Sequence, residues 1–429
     1  MTGFTRRETL ALVGAVAGAG CSALPGSDDT TTLDGPALRS LVADGHSTVP
    51  ERLPVTISSA HLAATEERAR ALVDAVPANL GPDAIPNGAI REHVRRAREG
   101  AVERVADAAD AATEYERLGG FADARADARF AAGAWRAIDD GLTREDLRPA
   151  ATRVREDRRA LRARREYLGA DPVTALAVHA AVERRLDTRV ETDGRTRYRA
   201  DNPLGVGELA EDVERARAAV DDAAHLYDQH VAGLDDSPTL RPRYRAARST
   251  LRADFESERA ELPAVDGDRP WTVEGVDVSE TPAGEALDDL YQPIDPEYED
   301  GWADGTLARS VLWGHRSFVS LRAFASLRAR VAEGERFEIE SVEDVAALRS
   351  EAVDAVRSAN ADPAVPTLTR AVLADVVRGL ANADADLASS DDEVRVVSLR
   401  YPAANYLVVA ARANATPSAS DHVASALRE

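Results

Sequence analysis

From about Asn87 onward the apolar residues recur every three or four positions, a spacing that predicts a mainly α protein. Ile90, Val94, Ala97, Ala101, Val105, Ala108, Ala112 and Tyr115 form one stripe. It stops at Gly119-Gly120, and Phe121, Ala124, Ala128, Ala131, Trp135 and Ile138 resume it. A flexible pair in so short a break predicts an antiparallel helical hairpin. Leu147, Val154, Leu161 and Leu168 follow at heptad spacing, then a break at Gly169 to Pro172 and a shorter helix. A third pair places Leu209, Val213, Ala216, Val220, Tyr227 and Val231 in one helix and Leu240, Tyr244, Ala247, Leu251, Phe255 and Leu262 in the next, joined by Gly233 to Pro238. The units share no sequence. The expectation is therefore long antiparallel helical hairpins forming a bundle or stacked helical array, not a named repeat family.

Strands are expected to be few. Arg189 to Tyr198 alternates around Asp193-Gly194, as a small β-hairpin does, and Val394 to Leu399 is β-branched. Residues 263–303 carry Pro263, Pro270, Pro282, Pro293 and Pro296, which reads as a Pro-rich connecting segment. Behind it run three more stripes: Leu307, Val311, Phe318, Leu321 and Ala325; Val342, Val345, Leu348, Ala352 and Val356; and Leu368, Val372, Val376 and Leu380. Ala403 to Arg412 reads as a last helix. The expected organisation is a signal over 1–21, a polar tether over 22–60, a helical-hairpin region over 61–262, the connecting segment, and a second helical region over 304–429.

The first 21 residues change the picture. Arg6 and Arg7 precede a short apolar run, Leu10 to Ala19, then small residues and Cys21. Ten residues at ~1.5 Å each reach about half of a ~30 Å hydrocarbon core, so the run reads as an export signal rather than a span. Thr5-Arg6-Arg7-Glu8-Thr9-Leu10 resembles a twin-arginine export motif, and Gly18-Ala19-Gly20-Cys21 resembles a lipoprotein cleavage box, with Gly18 where an aliphatic residue is more common. The resemblance implies export in the folded state, cleavage before Cys21 and a lipid on its sulfur. Cys21 is the only cysteine, so neither an internal disulfide nor a cysteine metal site is available.

Charge narrows the partners. The chain has 53 basic and 75 acidic residues, a net −22, and every basic residue is arginine. This usage resembles that of haloarchaeal proteins. In molar salt the Debye length is about 3 Å, so surface charge acts through hydration and solubility rather than steering. No nucleic-acid partner is expected, because counterion release is weak at high salt and needs a positive face.

Candidate chemistry is sparse, and each case has a simpler alternative. Arg155, Arg159 and Arg162 share a helical face on which three guanidinium groups would hold an anion; ion pairing with Glu156, Asp157, Glu166 and a neighbouring helix is the plainer expectation. Asp221, His225 and Asp228 at i, i+4 and i+7 are weak metal candidates, as are His179 and Glu183; carboxylate-paired histidines are the alternative. The acidic run Asp295 to Asp304 is rich in oxygen ligands but fails the EF-hand pattern at Asp300, where glycine is required. Trp302, Trp313 and His315 would line a pocket mouth or anchor the core. No phosphate-binding glycine loop, nucleophile elbow, H-E-x-x-H or haem attachment motif is present, and no cofactor is expected.

These observations favour a lipid-anchored helical surface protein on the outer face of the cytoplasmic membrane, acting by interaction with envelope proteins as a scaffold or assembly subunit. A solute-binding lipoprotein of a transporter is the second reading, and an extracellular hydrolase using paired carboxylates the third.

Overall fold

The computed structural model describes residues 31–45, 48–190, 197–199, 202–235, 237–263, 265, 269–295, 301–302 and 306–429. Arg6, Arg7, Cys21, the centre of the expected hairpin at 191–196, and most of the acidic run 295–304 lie outside these residues.

The protein is mainly α, with thirteen α-helices and two two-stranded sheets among the described residues. The first helical region holds α2 (Ser59–Asp74), α3 (Gly88–Asp110), α4 (Glu114–Asp139), α5 (Arg144–Arg164), α6 (Pro172–Asp187) and α7 (Pro203–Ala232). Local signals start most of them. The Asn87 side chain accepts from Ala89 and Ile90 N–H, Thr143 and Asp146 form a capping box, and Asp171 caps α6 with Pro172 at its first position. α4 packs against α2, α3 and α7, and α5 and α6 both flank α7 instead of pairing chiefly with each other.

The expected break at Gly119-Gly120 is not a turn. α4 runs through both glycines, and the chain reverses earlier, at Ala111 to Thr113, where the Thr113 hydroxyl caps α4 and donates to the Glu51 carbonyl at 2.7 Å. The glycines serve close approach: a Cβ on Gly120 would lie 2.7 Å from the Ala108 Cβ of α3, whereas one on Gly119 would meet nothing within 4 Å. Gly119→Ala is expected to raise stability by about 0.5–1 kcal/mol through helix propensity. Gly120→Ala is expected to lower it by about 1 kcal/mol or more, because the α3 backbone must give way. Chemical denaturation of the two variants checks the opposite signs. The same closeness recurs between α4 and α7, where a Cβ on Gly207 would lie 2.8 Å from the Phe130 carbonyl oxygen.

The second region comprises α8 (Arg241–Ala260), β2 (Thr272–Val273), β3 (Val276–Asp277), α9 (Pro282–Tyr291), α10 (Leu307–Ala332), α11 (Val342–Ala361), α12 (Pro366–Ala388), β4 (Glu393–Arg395) and α13 (Arg400–Arg428). α13 is its axis, packed against α8, α9, α10, α11 and α12. It extends beyond the expected Arg412 and across Pro417. An interior proline costs about 3 kcal/mol, but Ala403, Tyr406, Leu407, Ala413, Ala419, Val423 and Leu427 are buried along the whole length, and that burial outweighs it. The Thr416 hydroxyl donates to the Arg412 carbonyl beside the proline.

Three expectations change here. α8 does not pair with α7; Tyr244, Ala247, Leu251 and Phe255 pack into the core of the second region against α10 and α13. The Pro-rich segment is not a plain connection, because Pro282 opens α9 behind the Thr281 cap, and Ala286, Leu287 and Leu290 are fully buried. Val394 begins the expected strand, but only Glu393–Arg395 pairs before the chain turns helical.

The polar tether expected over 22–60 does not extend through the described part. β1 (Thr32–Asp34) pairs antiparallel with β4, and α1 (Gly35–Val42) packs on α11 and α12 with Leu38 buried. Leu53, Val55 and Ile57 then cover the core formed by Tyr115, Leu118, Leu161, Leu186, Leu226 and Tyr227. Residues 31–45 and 48–58 thus serve as a strap, the former on the second region and the latter on the first, held by apolar side chains a tether would not need. No described helix is long and apolar enough to cross a membrane.

Candidate ligand-binding site

One helix touches both regions. α6 packs against α7 on one side and against α10, α12 and α13 on the other. The sequence explains why: from Pro172 to Val182 it has no charged residue, and a helix apolar all round must be covered all round. Its two buried polar residues, His179 and Glu183, lie one turn apart and meet partners from both regions.

His179 Nε2 lies 2.8 Å from the Leu168 carbonyl oxygen, and His230 Nε2 of α7 lies 2.9 Å from the same oxygen. Both rings therefore donate from Nε2. His179 is fully buried, its Nδ1 has no hydrogen-bond partner, and burial pushes its pKa down to about 4, with the His230 and Arg165 charges acting the same way. It stays neutral at neutral pH. The rings of Tyr167 and His230 meet it edge to face, with centroids 5.3 and 5.1 Å away.

Glu183 Oε1 accepts from the Tyr167 hydroxyl and from Arg165 Nη1 at 3.0 Å, while Oε2 accepts the Arg309 backbone N–H at 2.8 Å. The Arg165 guanidinium also sits 4.7 Å over the Tyr167 ring. Burial, and then the Glu183 charge, raise the Tyr167 pKa, so the phenol remains a donor. Each Glu183 oxygen is engaged. It works as a latch tying α10 to α6 rather than as a base or a metal ligand.

Two cavities flank this latch. An open cleft of about 630 Å³ lies over His230, Asp171, Thr174, Gln229, Glu114 and Thr56. A smaller, more enclosed cavity of about 210 Å³ lies between α6 and α10, closed by Glu51, Arg52 and Leu53 of the strap and by Tyr115 of α4. Ala177, Ala180 and Ala181 of α6 and Leu312 and Trp313 of α10 give it an apolar wall; Arg184, Arg309 and Arg316 stand with Arg52 around it. Of the expected aromatic cluster, Trp313 alone lines this cavity. Trp302 packs on Trp313 and Gly314, and His315 is fully buried with Nε2 3.1 Å from the Ser420 hydroxyl.

The sequence-predicted sites disperse. Asp221 lies 3.7 Å from Arg125 and 3.9 Å from Arg217; burial raises its pKa, against the pull of the Arg125 charge. Asp228 takes both Nη atoms of Arg164. His225 Nε2 accepts the Ser58 backbone N–H at 3.1 Å, and its ring stacks on His61 with centroids 4.1 Å apart. The three candidates thus serve three different partners. Among the described residues no group of three His, Cys, Asp or Glu is placed to hold a metal ion. The neighbouring carboxylate that does pair with a histidine is Asp222, buried and 2.8 Å from His61 Nε2, a partner 161 positions away that its spacing to His225 does not signal. On α5, Arg162 donates to the Leu186 carbonyl and lies 4.0 Å from Asp187, Arg155 is half-buried and partnered, and Arg159 is exposed. Between them Arg158 donates to the Thr188 carbonyl, and burial followed by the neighbouring arginine charges lowers its pKa. Arg158 and Arg162 thus brace the end of α6.

Residues 60–236 match the domain of unknown function DUF8262, and residues 241–425 match another domain of unknown function, DUF8264. The two matches divide between α7 and α8, where α8 joins the packing of the second region. No curated protein and no solved structure matches the chain.

Proposed function

We propose that the chain is an exported, lipid-anchored solute-binding protein on the outer face of the cytoplasmic membrane. The observation that carries this reading is the small cavity between α6 and α10, whose walls come from both helical regions and from the strap. Ligand sites favour such junctions, since two packed bodies and a covering segment enclose a solute that neither body encloses alone. The N-terminal twin arginines and Cys21 supply the address and the anchor.

The competing reading, action by protein interaction alone, needs an exposed docking face. Among the described residues the large apolar side chains that are exposed are only Val102, Val276, Val397 and Tyr401, too few for the contiguous apolar patch such a face presents. A hydrolase reading needs two carboxylates free to move protons, but among the described residues the buried acids Glu183, Glu214 and Asp384 are each engaged by arginine and the fourth, Asp222, by His61 at 2.8 Å.

Two measurements test the proposal. Cell fractionation is expected to place the wild type in the membrane pellet and Cys21→Ser in the medium; equal distribution of both removes the lipid anchor. A thermal-shift screen of small solutes is expected to give a ligand-specific rise of several degrees, since ligand at a hundred times its Kd adds about 2.7 kcal/mol. A flat screen across neutral, cationic and anionic solutes removes the binding role.

A further inference from the structure

Resting on the solute-binding reading, we infer that the ligand of the α6–α10 cavity is a small organic anion, a carboxylate or phosphate carried on a compact apolar body. In a chain with a net charge of −22, the described lining of this cavity is richer in arginine than in carboxylate. Arg52, Arg184, Arg309 and Arg316 line it, against Glu51 as the one carboxylate among the described lining residues.

The arginines keep donors to spare. Arg184 Nη2 contacts the Tyr115 hydroxyl and lies 3.4 Å from Glu51, Arg309 Nη1 donates to Asp187 at 2.9 Å, and Arg316 Nη2 donates to Asp375. A guanidinium has five N–H donors in a planar fork, and each of these contacts uses one nitrogen. Asp187 and Asp375 hold their arginines from outside the cavity lining, fixing the forks in place without occupying its interior. Such pre-positioned donors lose little freedom when an anion arrives.

The chemistry also selects among anions. Where salt is molar, long-range attraction is screened within about 3 Å, so simple charge would not favour an organic anion over chloride. Carboxylates and phosphates differ from chloride in matching the fork with two parallel hydrogen bonds. The alanine wall of α6, with Leu312 and Trp313, receives an apolar body and leaves polar contact to the arginines.

The test uses the detergent-solubilised full chain at constant ionic strength and four probes sharing one apolar body: benzoate, phenyl phosphate, benzyl alcohol and benzylammonium. The first two are expected to bind and stabilise the chain, and the last two are not. Arg52 is exposed, so Arg52→Gln is expected to leave the circular dichroism spectrum and melting temperature of the free protein unchanged. It is expected to weaken anion binding about tenfold, as loss of a charged hydrogen bond does. Arg184→Gln is expected to weaken it at least as much. Equal binding of benzylammonium and benzoate, or anion affinity untouched by both substitutions, overturns the inference while a solute-binding role stands. Failure of every solute class removes the binding reading and the inference with it.

Discussion

Between pH 6.5 and 4.5 the folded chain is expected to lose roughly 5 kcal/mol of stability from two histidines alone. Burial holds His179 neutral and pushes its pKa down to about 4; the same cause, with the Arg316 and Arg322 charges behind it, pushes His315 down to about 3. In the unfolded chain both titrate near 6.5. Below that pH the unfolded state binds two protons that the folded state refuses until about pH 4 and pH 3. The stabilisation is therefore complete above pH 6.5 and drains away as the pH falls, at about 1.4 kcal/mol per unit for each histidine. Neither site offers a way out. Ser420 accepts from the Thr369 hydroxyl and donates to the Thr416 carbonyl, so His315 can only donate to it, and the buried Nδ1 of each ring has no partner to welcome a second proton. Asp123, Asp221 and Asp289, whose pKa values burial raises, act in the opposite sense and flatten the lower end of the curve. Urea midpoints measured from pH 7.5 to 4.5 at constant ionic strength check the slope, and His179→Asn or His315→Asn is expected to remove about half of it. A wild-type midpoint that stays level over this range would show that the folded chain accepts the protons, and would sink the account.

The helices were legible because their cause is local. Apolar residues at three- and four-residue spacing, with Asn87, Thr143, Asp171 and Ser341 capping, mark most starts within a few positions. What sequence patterning misread were residues with two possible roles. Gly119-Gly120 is a plausible turn in one dimension, and only the 2.7 Å approach to Ala108 shows that the second glycine exists to let α3 and α4 close. Pro282 looks like a breaker among other prolines, yet at a helix N-terminus its missing N–H costs nothing. The α7–α8 pairing failed because adjacency in sequence does not fix adjacency in space when both faces of a helix are apolar.

The site was less legible still. His179 and Glu183 stood out as a one-turn pair, but Arg165 and Tyr167 reach Glu183 from the α5–α6 connection and Arg309 from α10, the last across 126 positions. The cavity arginines come from the strap, α6 and α10, and none differs from the other basic residues of an all-arginine chain. One signal was available: the uncharged run from Pro172 to Val182 in a chain with 30% charged residues. Such a run predicts a helix enclosed on all sides, and hence the seam beside which the shared cavity lies.

Glu183 provides the second large effect, because that seam depends on it. Glu183→Gln keeps the side-chain shape but is expected to cost about 3–5 kcal/mol, the range for breaking one partner out of a buried ion pair. Three losses combine. Arg165, whose side chain is 9% exposed, keeps its charge with no counter-charge at 3.0 Å. Whichever way the new amide turns, its NH₂ faces a donor: the Arg309 backbone N–H, or the Tyr167 hydroxyl with Arg165. The start of α10 is then untied from α6, and with it the wall that carries Arg309, Leu312 and Trp313. Denaturation of Glu183→Gln measures the loss, and a cycle with Arg165→Met and Glu183→Leu separates its origins. If the uncompensated Arg165 charge dominates, the apolar double variant recovers most of the stability, since a buried pair exchanged for packed apolar groups is close to neutral. If the tie to the Arg309 backbone dominates, the double variant stays as unstable as Glu183→Gln and its unfolding separates into two steps, one for each region. A cost below about 1 kcal/mol for Glu183→Gln would rule out the latch, because only an exposed, dispensable pair behaves that way.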